Sequence, residues 1–494
     1  MVFSIRLPED DRSLILVLMA LYILIRLPVL GYLPLVQDEA VYAIMADEQA
    51  DAPTVVPTLF GYPVAWKPAP FFWVYAGFSE VLSPLHLPLE VTYRLPSFLF
   101  GLATVPLIYF ILRNAGSSRA LAFFTVIIFL FSFTSIYPNA AFLTDSLLFM
   151  LVCSSLYLYS DKRLAQWRFI GAAVLAFSAF FVKLVVAFII PLLALAYIYL
   201  YDRKSLPKPV FLLSLMAVPL AWVMHYFLLQ GAGLGSEVYV SDVWWHLISP
   251  AGIYDQLAML VGSMTYLLAG SGIWFALSIF GFWKHWRDNL FMSAWYALLV
   301  FPVIGAYLMP WYYLPVFPAV SYFAAIVLLK WDGKERTDLF FAVFFTAIII
   351  LTVALCMWIY SDLNEDFLPQ KEAGLIISGK ENVLVIGNWA PGVIAYKMVT
   401  EKRESGRPLD FGWVVGDANF TTEMVNTFVD DYYTGRYPVV DGSFNRMYWV
   451  KDIFRKDSNV THFDYMVAIQ LHDFQSSAAS NLYNSSVIQV LDIR

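Results

Sequence analysis

The chain has few of the residues that usually betray a soluble protein's chemistry. Only two of its 494 residues are cysteine and six are histidine. Cys153 and Cys356 each fall inside an apolar run, which leaves no disulfide framework and no Cys-x-x-Cys metal motif; both read as small buried hydrophobes. Charged residues make up only 14%, too few for an ordinary soluble domain, where about a quarter of residues are charged. Basic residues number 31 against 38 acidic ones and are scattered through short loops, so nucleic acid is excluded as a partner. The first apolar run, 13–33, lacks a small-residue cleavage site and reads as a retained signal anchor. The two halves show no convincing internal repeat.

What is abundant is hydrocarbon: 60% of residues are hydrophobic and 18% aromatic. Eleven apolar runs approach the roughly 20 helical residues needed to cross a bilayer, near 13–33, 93–112, 120–138, 143–160, 168–183, 184–201, 209–229, 257–282, 290–309, 313–330 and 338–360. Every second connection is basic, carrying Arg6 and Arg12, Arg113 and Arg119, Lys162, Arg163 and Arg168, Arg203, Lys204 and Lys208, Lys284 and Arg287, then Lys330, Lys334 and Arg336. The alternate connections hold almost no positive charge: 34–92 has only Lys67 and 230–256 has none. Lysine and arginine stay on the cytoplasmic side, so the N-terminus is expected inside and the C-terminus outside. The expected fold is an α-helical polytopic membrane protein of about 11–13 transmembrane helices over 1–360, followed by a small soluble α/β domain, 361–494, outside the cytoplasm. In that tail ENVLVIGN, DFGWVV, HFDYMVAI and SVIQVLDI read as strands and PGVIAYKMVTEKRES as a helix. Sequons at Asn419, Asn459 and Asn484 agree with an outside location.

The unusual chemistry gathers on the outer side. Asp38 and Glu39 follow the first span in VQDEAVYA, and carboxylates beside hydrocarbon are retained where they bind something, line a wet cavity or are paired. Helical spacing sets Tyr42 one turn beyond Asp38. The rest of 34–92 supplies Lys67 among prolines and aromatics, with the apolar stretch 70–83 suited to an interfacial helix. Arg94 opens the second span, and Asp145 opens the fourth in AFLTDSLL, where an acid also suits a helix N-terminus. Taken singly, Asp38 also reads as an interfacial charge and Lys67 as a snorkelling one; their convergence on one face is what argues for a site.

The order of motifs, DEAVYA, WKPAPFFW, YRLPSFLFGLATV, AFLTDSLL, VKLVVAFIIPLL and WYYLPVFPAV, resembles the GT-C membrane glycosyltransferases. The resemblance is to the branch of protein O-mannosyltransferases and aminoarabinose transferases and covers most of 13–330. It implies a GT-C fold and transfer of a sugar, a hexose or a pentose, from a polyprenyl-phosphate donor, dolichyl- or undecaprenyl-linked, to a glycan, protein or lipid acceptor outside the cytoplasm. Asp38 would then match the catalytic base and Glu39 the second acid. Lys67 would match the lysine set against the lipid phosphate, with Arg94 assisting, and Asp145 the acid at the mouth of the fourth span. Tyr312 and Tyr313 in LMPWYYLPVFP would bond the phosphate, although members often carry a lysine or histidine in that motif. A divalent metal is the one cofactor the resemblance admits. This chain has Trp66 where the aminoarabinose type has a metal-holding acid, so metal dependence stays open; His225 and His246, near the outer region of the seventh and eighth spans, are candidates either to ligate a metal or to touch the sugar. A transporter or lipid flippase is the alternative, with Lys183 as its one deeper charge.

Overall fold

The computed structural model describes residues 10–59, 62–64, 67–234, 261–262, 264–265, 267–268, 270–300, 310–329, 337–379, 383–387, 393, 395–397, 400, 465–469, 480–484 and 488–492. It divides into two compact units, Met1–Tyr32 with Glu48–Trp358, and Leu33–Asp47 with Ile359–Arg494.

The first unit is helical. Helix α1 (Asp11–Arg26) starts at Asp10, whose carboxylate accepts the Ser13 amide at 2.8 Å, the usual device for satisfying a free N–H in a first turn. Asp11 faces sideways: Arg119 reaches it at 2.9 Å and the Tyr109 hydroxyl at 2.8 Å. Helix α2 (Gln37–Asp51) crosses from the second unit into the first. After a two-residue hairpin, β1 (Thr58–Leu59) with β2 (Tyr62–Pro63), come α3 (Ala69–Leu82) and α4 (Leu89–Asn114). Helix α4 continues through Pro96 and Pro106, tolerable in a membrane because neighbouring groups take up the freed carbonyls. Then follow α5 (Arg119–Leu130), α6 (Phe133–Ile136), α7 (Thr144–Ser160), α8 (Trp167–Lys183), α9 (Ile189–Tyr201), α10 (Pro209–Leu215) and α11 (Ala217–Gly231). Beyond them are α12 (Ile273–His285), α13 (Leu290–Ala297), α14 (Phe317–Leu329) and α15 (Thr337–Ile376). Helix α7 packs between α4 and α8, while α14 packs on α5 and α12.

The packing is inverted relative to a soluble protein. Phe227 is 66% exposed and Trp283 77%, whereas Ser97, Thr104, Ser135, Asn139, Ser146, Ser155 and Ser278 are buried. Apolar side chains outside and small hydroxyls between helices are what a lipid solvent favours. Among the described residues Asp11–Val29, Leu89–Asn114 and Tyr312–Leu329 are each long and apolar enough to cross a membrane, and α10 with α11, bent by 44°, makes a fourth. Of the other expected spans, 120–138, 143–160, 168–183 and 184–201 hold the shorter helices α5, α7, α8 and α9, and 257–282 and 290–309 lie partly outside the described residues. The run 120–138 ends as α5 at Leu130, and 131–143 continues as a short helix and buried turns. Irregular backbone at that depth needs internal partners. Arg26, fully buried, donates to the Leu130 carbonyl at 3.0 Å and to the Ser135 hydroxyl at 2.8 Å, and Asn139 Nδ2 donates to the Ser135 carbonyl at 2.9 Å. The run 338–360 extends instead into the 40-residue helix Thr337–Ile376, which continues through Pro369.

Helices α1 and α4 meet at Gly101. A Cβ there would strike the Tyr22 hydroxyl and come within 2.7 Å of the Asn139 side chain. Neither neighbour can yield, since the Tyr22 hydroxyl donates to the Phe98 carbonyl at 2.8 Å and Asn139 accepts from the Ser146 hydroxyl at 3.1 Å. Gly101→Ala is expected to destabilise the protein by about 1–3 kcal/mol, the usual cost of overpacking, read as a lower melting temperature in detergent.

In the second unit β3 (Val383–Gly387) pairs parallel with β4 (Tyr465–Ile469), and β6 (Ile488–Asp492) pairs antiparallel with both β4 and β5 (Ser480–Asn484), giving the order β3-β4-β6-β5. Strand β5 was not signalled by its sequence, SNLYN, which is polar at both ends. DFGWVV, Asn419 and Asn459 lie outside the described residues.

Candidate active site

The two adjacent carboxylates are sorted to opposite environments by a single helix start. The Val36 carbonyl accepts the Ala40 amide at 3.2 Å, which makes Val36 the N-cap of α2 and Glu39 its third residue. The Glu39 carboxylate turns back to accept the Val36 amide at 2.9 Å and is 1% exposed, the reciprocal half of a capping box. Asp38, one residue earlier, is exposed. It also sits in the first turn, where the aligned peptide dipoles favour an anion. Tyr42, one turn beyond Asp38, is buried, so the phenol does not share the aspartate's exposure.

Lys67 is half-buried and immediately precedes α3. Prolines 68 and 70 occupy the cap and first turn of that helix, positions that have no intrahelical N–H to lose. The KPAP sequence therefore fixes a helix start directly after the lysine. Arg94, one turn into α4, is 2% exposed and donates to the Leu30 carbonyl at 3.1 Å. It braces the chain that leaves α1.

Asp145, Lys183 and Tyr312 are brought together. The N-cap of α7 is Leu143 without a side-chain bond, so Asp145 does not serve as the cap. It is buried and bonded to Lys183 Nζ at 2.6 Å. The same ammonium lies 4.2 Å from the centre of the Tyr312 ring, a cation–π contact. Lys183 is delivered there by a break: α8 stops at it, and Leu184 takes φ 41° and ψ −122° before a 3-10 turn leads into α9. A branched side chain in that region stores strain of about 1–3 kcal/mol. Tyr312 arrives on the 3-10 stretch Pro310–Val316, pinned by the Trp295 indole donating to the Pro315 carbonyl at 2.9 Å and packed against α6 and α7. Tyr313, its neighbour, is wholly buried.

Lys183 thus sets an ammonium against Tyr312 of LMPWYYLP, a stretch with no lysine or histidine of its own. Its signal was available, since it is the only charged residue between Arg168 and Asp202, and a lone ionisable residue within apolar spans marks a functional position. Its partner, 38 residues away, could not be read from spacing.

His225 is buried, with the Phe180 and Phe181 rings each 6.0 Å away and steeply inclined. Among the described residues no group of three or more His, Cys, Asp or Glu gathers to hold a metal. His246 and Trp66 lie outside the described residues.

Comparison with known proteins bears on the family and the fold. Residues 13–231 match the sequence model of the dolichyl-phosphate-mannose-protein mannosyltransferase family. No curated protein matches the sequence. Among solved structures, ArnT of Cupriavidus metallidurans bound to undecaprenyl phosphate superposes with a TM-score of 0.63 at 15% identity, covering 98% of this chain and 99% of that one. The oligosaccharyltransferase of Archaeoglobus fulgidus in its apo form gives 0.54 at 11% identity, covering 93% of this chain and 69% of that one. The archaeal oligosaccharyltransferase AglB from the same organism, in complex with an inhibitory peptide and a dolichol-phosphate, gives 0.53 at 12%. At such identities the likeness establishes the fold. The chain is thus a GT-C-fold membrane protein whose residues 13–231 carry the sequence pattern of the dolichyl-phosphate-mannose-protein mannosyltransferase family.

Proposed function

We propose that this protein is a membrane glycosyltransferase that moves a sugar from a polyprenyl phosphate to an acceptor hydroxyl outside the cytoplasm. The observation that carries the reading is the family match over 13–231, a segment that contains Asp38, Glu39, Lys67, Arg94, Asp145 and Lys183. The relatives in fold were captured with undecaprenyl phosphate and dolichol-phosphate, which supports a lipid-linked donor. The alternation of basic loops supports an outer active face and an extracytoplasmic segment 361–494.

In the proposed reaction the acceptor oxygen attacks the anomeric carbon and the bond from that carbon to the phosphate oxygen breaks. Asp38 takes the acceptor's proton as general base. The departing polyprenyl phosphate passes from a diester monoanion towards a monoester dianion, so it gains charge as it leaves. Lys67 meets that charge, and Lys183 adds a second ammonium held in orientation by Asp145 and Tyr312. Arg94 fixes the backbone after α1 and adds positive potential. Glu39 holds the helix turn that carries Asp38. A donor already on the outer leaflet suits this arrangement, because a nucleotide sugar made in the cytoplasm cannot reach it.

The test is donor choice. With the protein in liposomes and a membrane extract as acceptor, label should move from dolichyl-phosphate mannose or undecaprenyl-phosphate aminoarabinose. It should not move from the matching nucleotide sugar. Transfer from the nucleotide sugar at an equal or greater rate would overturn the reading.

A further inference from the structure

The strand of chain that delivers Asp38 is held by the C-terminal segment. Residues Leu33–Asp47 and Ile359–Arg494 form one unit, and the approach to α2 belongs to no helix or strand, with Leu33 and Leu35 buried. A buried amide outside a helix or sheet needs an acceptor. The Leu35 N–H finds it in the Tyr396 hydroxyl at 2.8 Å, a partner 361 residues away in sequence. One residue on, Val36 caps α2 with Glu39, and Asp38 lies between them in that turn.

Tyr396 is itself immobilised. It is 2% exposed, and the Lys371 ammonium lies 5.6 Å from its ring centre. Beneath it α15 passes so closely at Gly374 that a Cβ would stand 2.5 Å from the Val393 carbonyl and 2.8 Å from the Tyr396 Cβ. A rigid phenol therefore anchors the residue that enters the capping turn, and a shift of about 1 Å in that turn would move the base out of attack geometry.

We propose that Tyr396 is a positioning residue for Asp38, through which the C-terminal segment sets the reactivity of the carboxylate. The inference rests on Asp38 being the base. Its test uses the full-length protein in liposomes with the lipid-linked donor that supports transfer. Tyr396→Phe keeps the ring and removes the acceptor. We expect kcat to fall about tenfold with the donor KM changed by less than about twofold, the signature of lost orientation rather than lost binding. Because the effect acts through Asp38, the same change in an Asp38→Glu background should cost less than about twofold. Amide hydrogen exchange at Leu35–Ala40 should accelerate about tenfold while α4 and α7 keep their protection. Unchanged exchange at Leu35–Ala40, an unchanged kcat, or a fall of equal size in the Asp38→Glu background would each overturn the inference. Full transfer by Asp38→Asn would instead overturn the assignment of the base, an outcome separate from the exchange result.

Discussion

Asp38→Asn is expected to reduce sugar transfer by about 10²–10⁴-fold, the range a positioned general base supplies, equivalent to roughly 3–5 kcal/mol in the barrier. The substitution is nearly isosteric and the side chain is exposed at the start of α2, so the fold should survive; the loss of an anion from a helix N-terminus costs at most about 1 kcal/mol. Rates measured with saturating lipid-linked donor, beside a melting curve in detergent, separate the two effects. Transfer at the wild-type rate would remove Asp38 from the mechanism. Glu39→Gln serves as the contrast, since the buried carboxylate is engaged with the Val36 amide and its replacement should loosen the helix start more than it changes a proton transfer. An equal loss from both substitutions, with both melting curves unchanged, would argue that the pair shares the chemistry.

The largest expected effect on stability is at Lys183. With Lys183→Met, Asp145 stays buried beside α8 with its 2.6 Å partner gone, and breaking one side of a buried ion pair costs about 3–5 kcal/mol. The melting temperature should fall sharply. Asp145→Leu combined with Lys183→Met removes both charges and should recover most of the stability, because an apolar pair of similar volume is often no worse than the ion pair. Activity should not recover, since the second ammonium for the leaving phosphate is still missing. Recovery of transfer together with stability would show that the pair serves the fold alone.

Much of the helical plan was legible because lipid imposes a simple rule on sequence: apolar runs of sufficient length become helices. The apolar stretch 70–83, read as an interfacial helix, corresponds to α3, and the helical spacing from Asp38 to Tyr42 falls within α2. Boundaries within runs were not legible. Nothing in the apolar stretch 120–138 warns that α5 stops at Leu130, since the stop depends on Arg26 and Asn139 receiving the freed backbone from elsewhere in the chain. The site was legible residue type by residue type and illegible as pairs. Glu39's reach back to Val36 is local and follows from helix geometry. The meeting of Asp145, Lys183 and Tyr312 joins three distant segments, and Leu184's positive φ, which aims the lysine, is a conformation that a leucine does not advertise.

The cluster around Asp11 has a consequence for biosynthesis. Arg119 and the Tyr109 hydroxyl both reach this carboxylate, yet neither has been synthesised when α1 emerges from the ribosome. Arg113 lies in the last turn of α4 and Arg119 opens α5, and lysine and arginine in such short loops bias the orientation of a chain during insertion. In the folded protein Arg119 ties the start of α5 to the start of α1 through a half-exposed ion pair, a contact of modest worth. A neutral substitution at Arg119 is therefore expected to give misoriented chains as well as a weaker contact between α1 and α5, read by protease accessibility of the α4–α5 loop and by a melting curve in detergent.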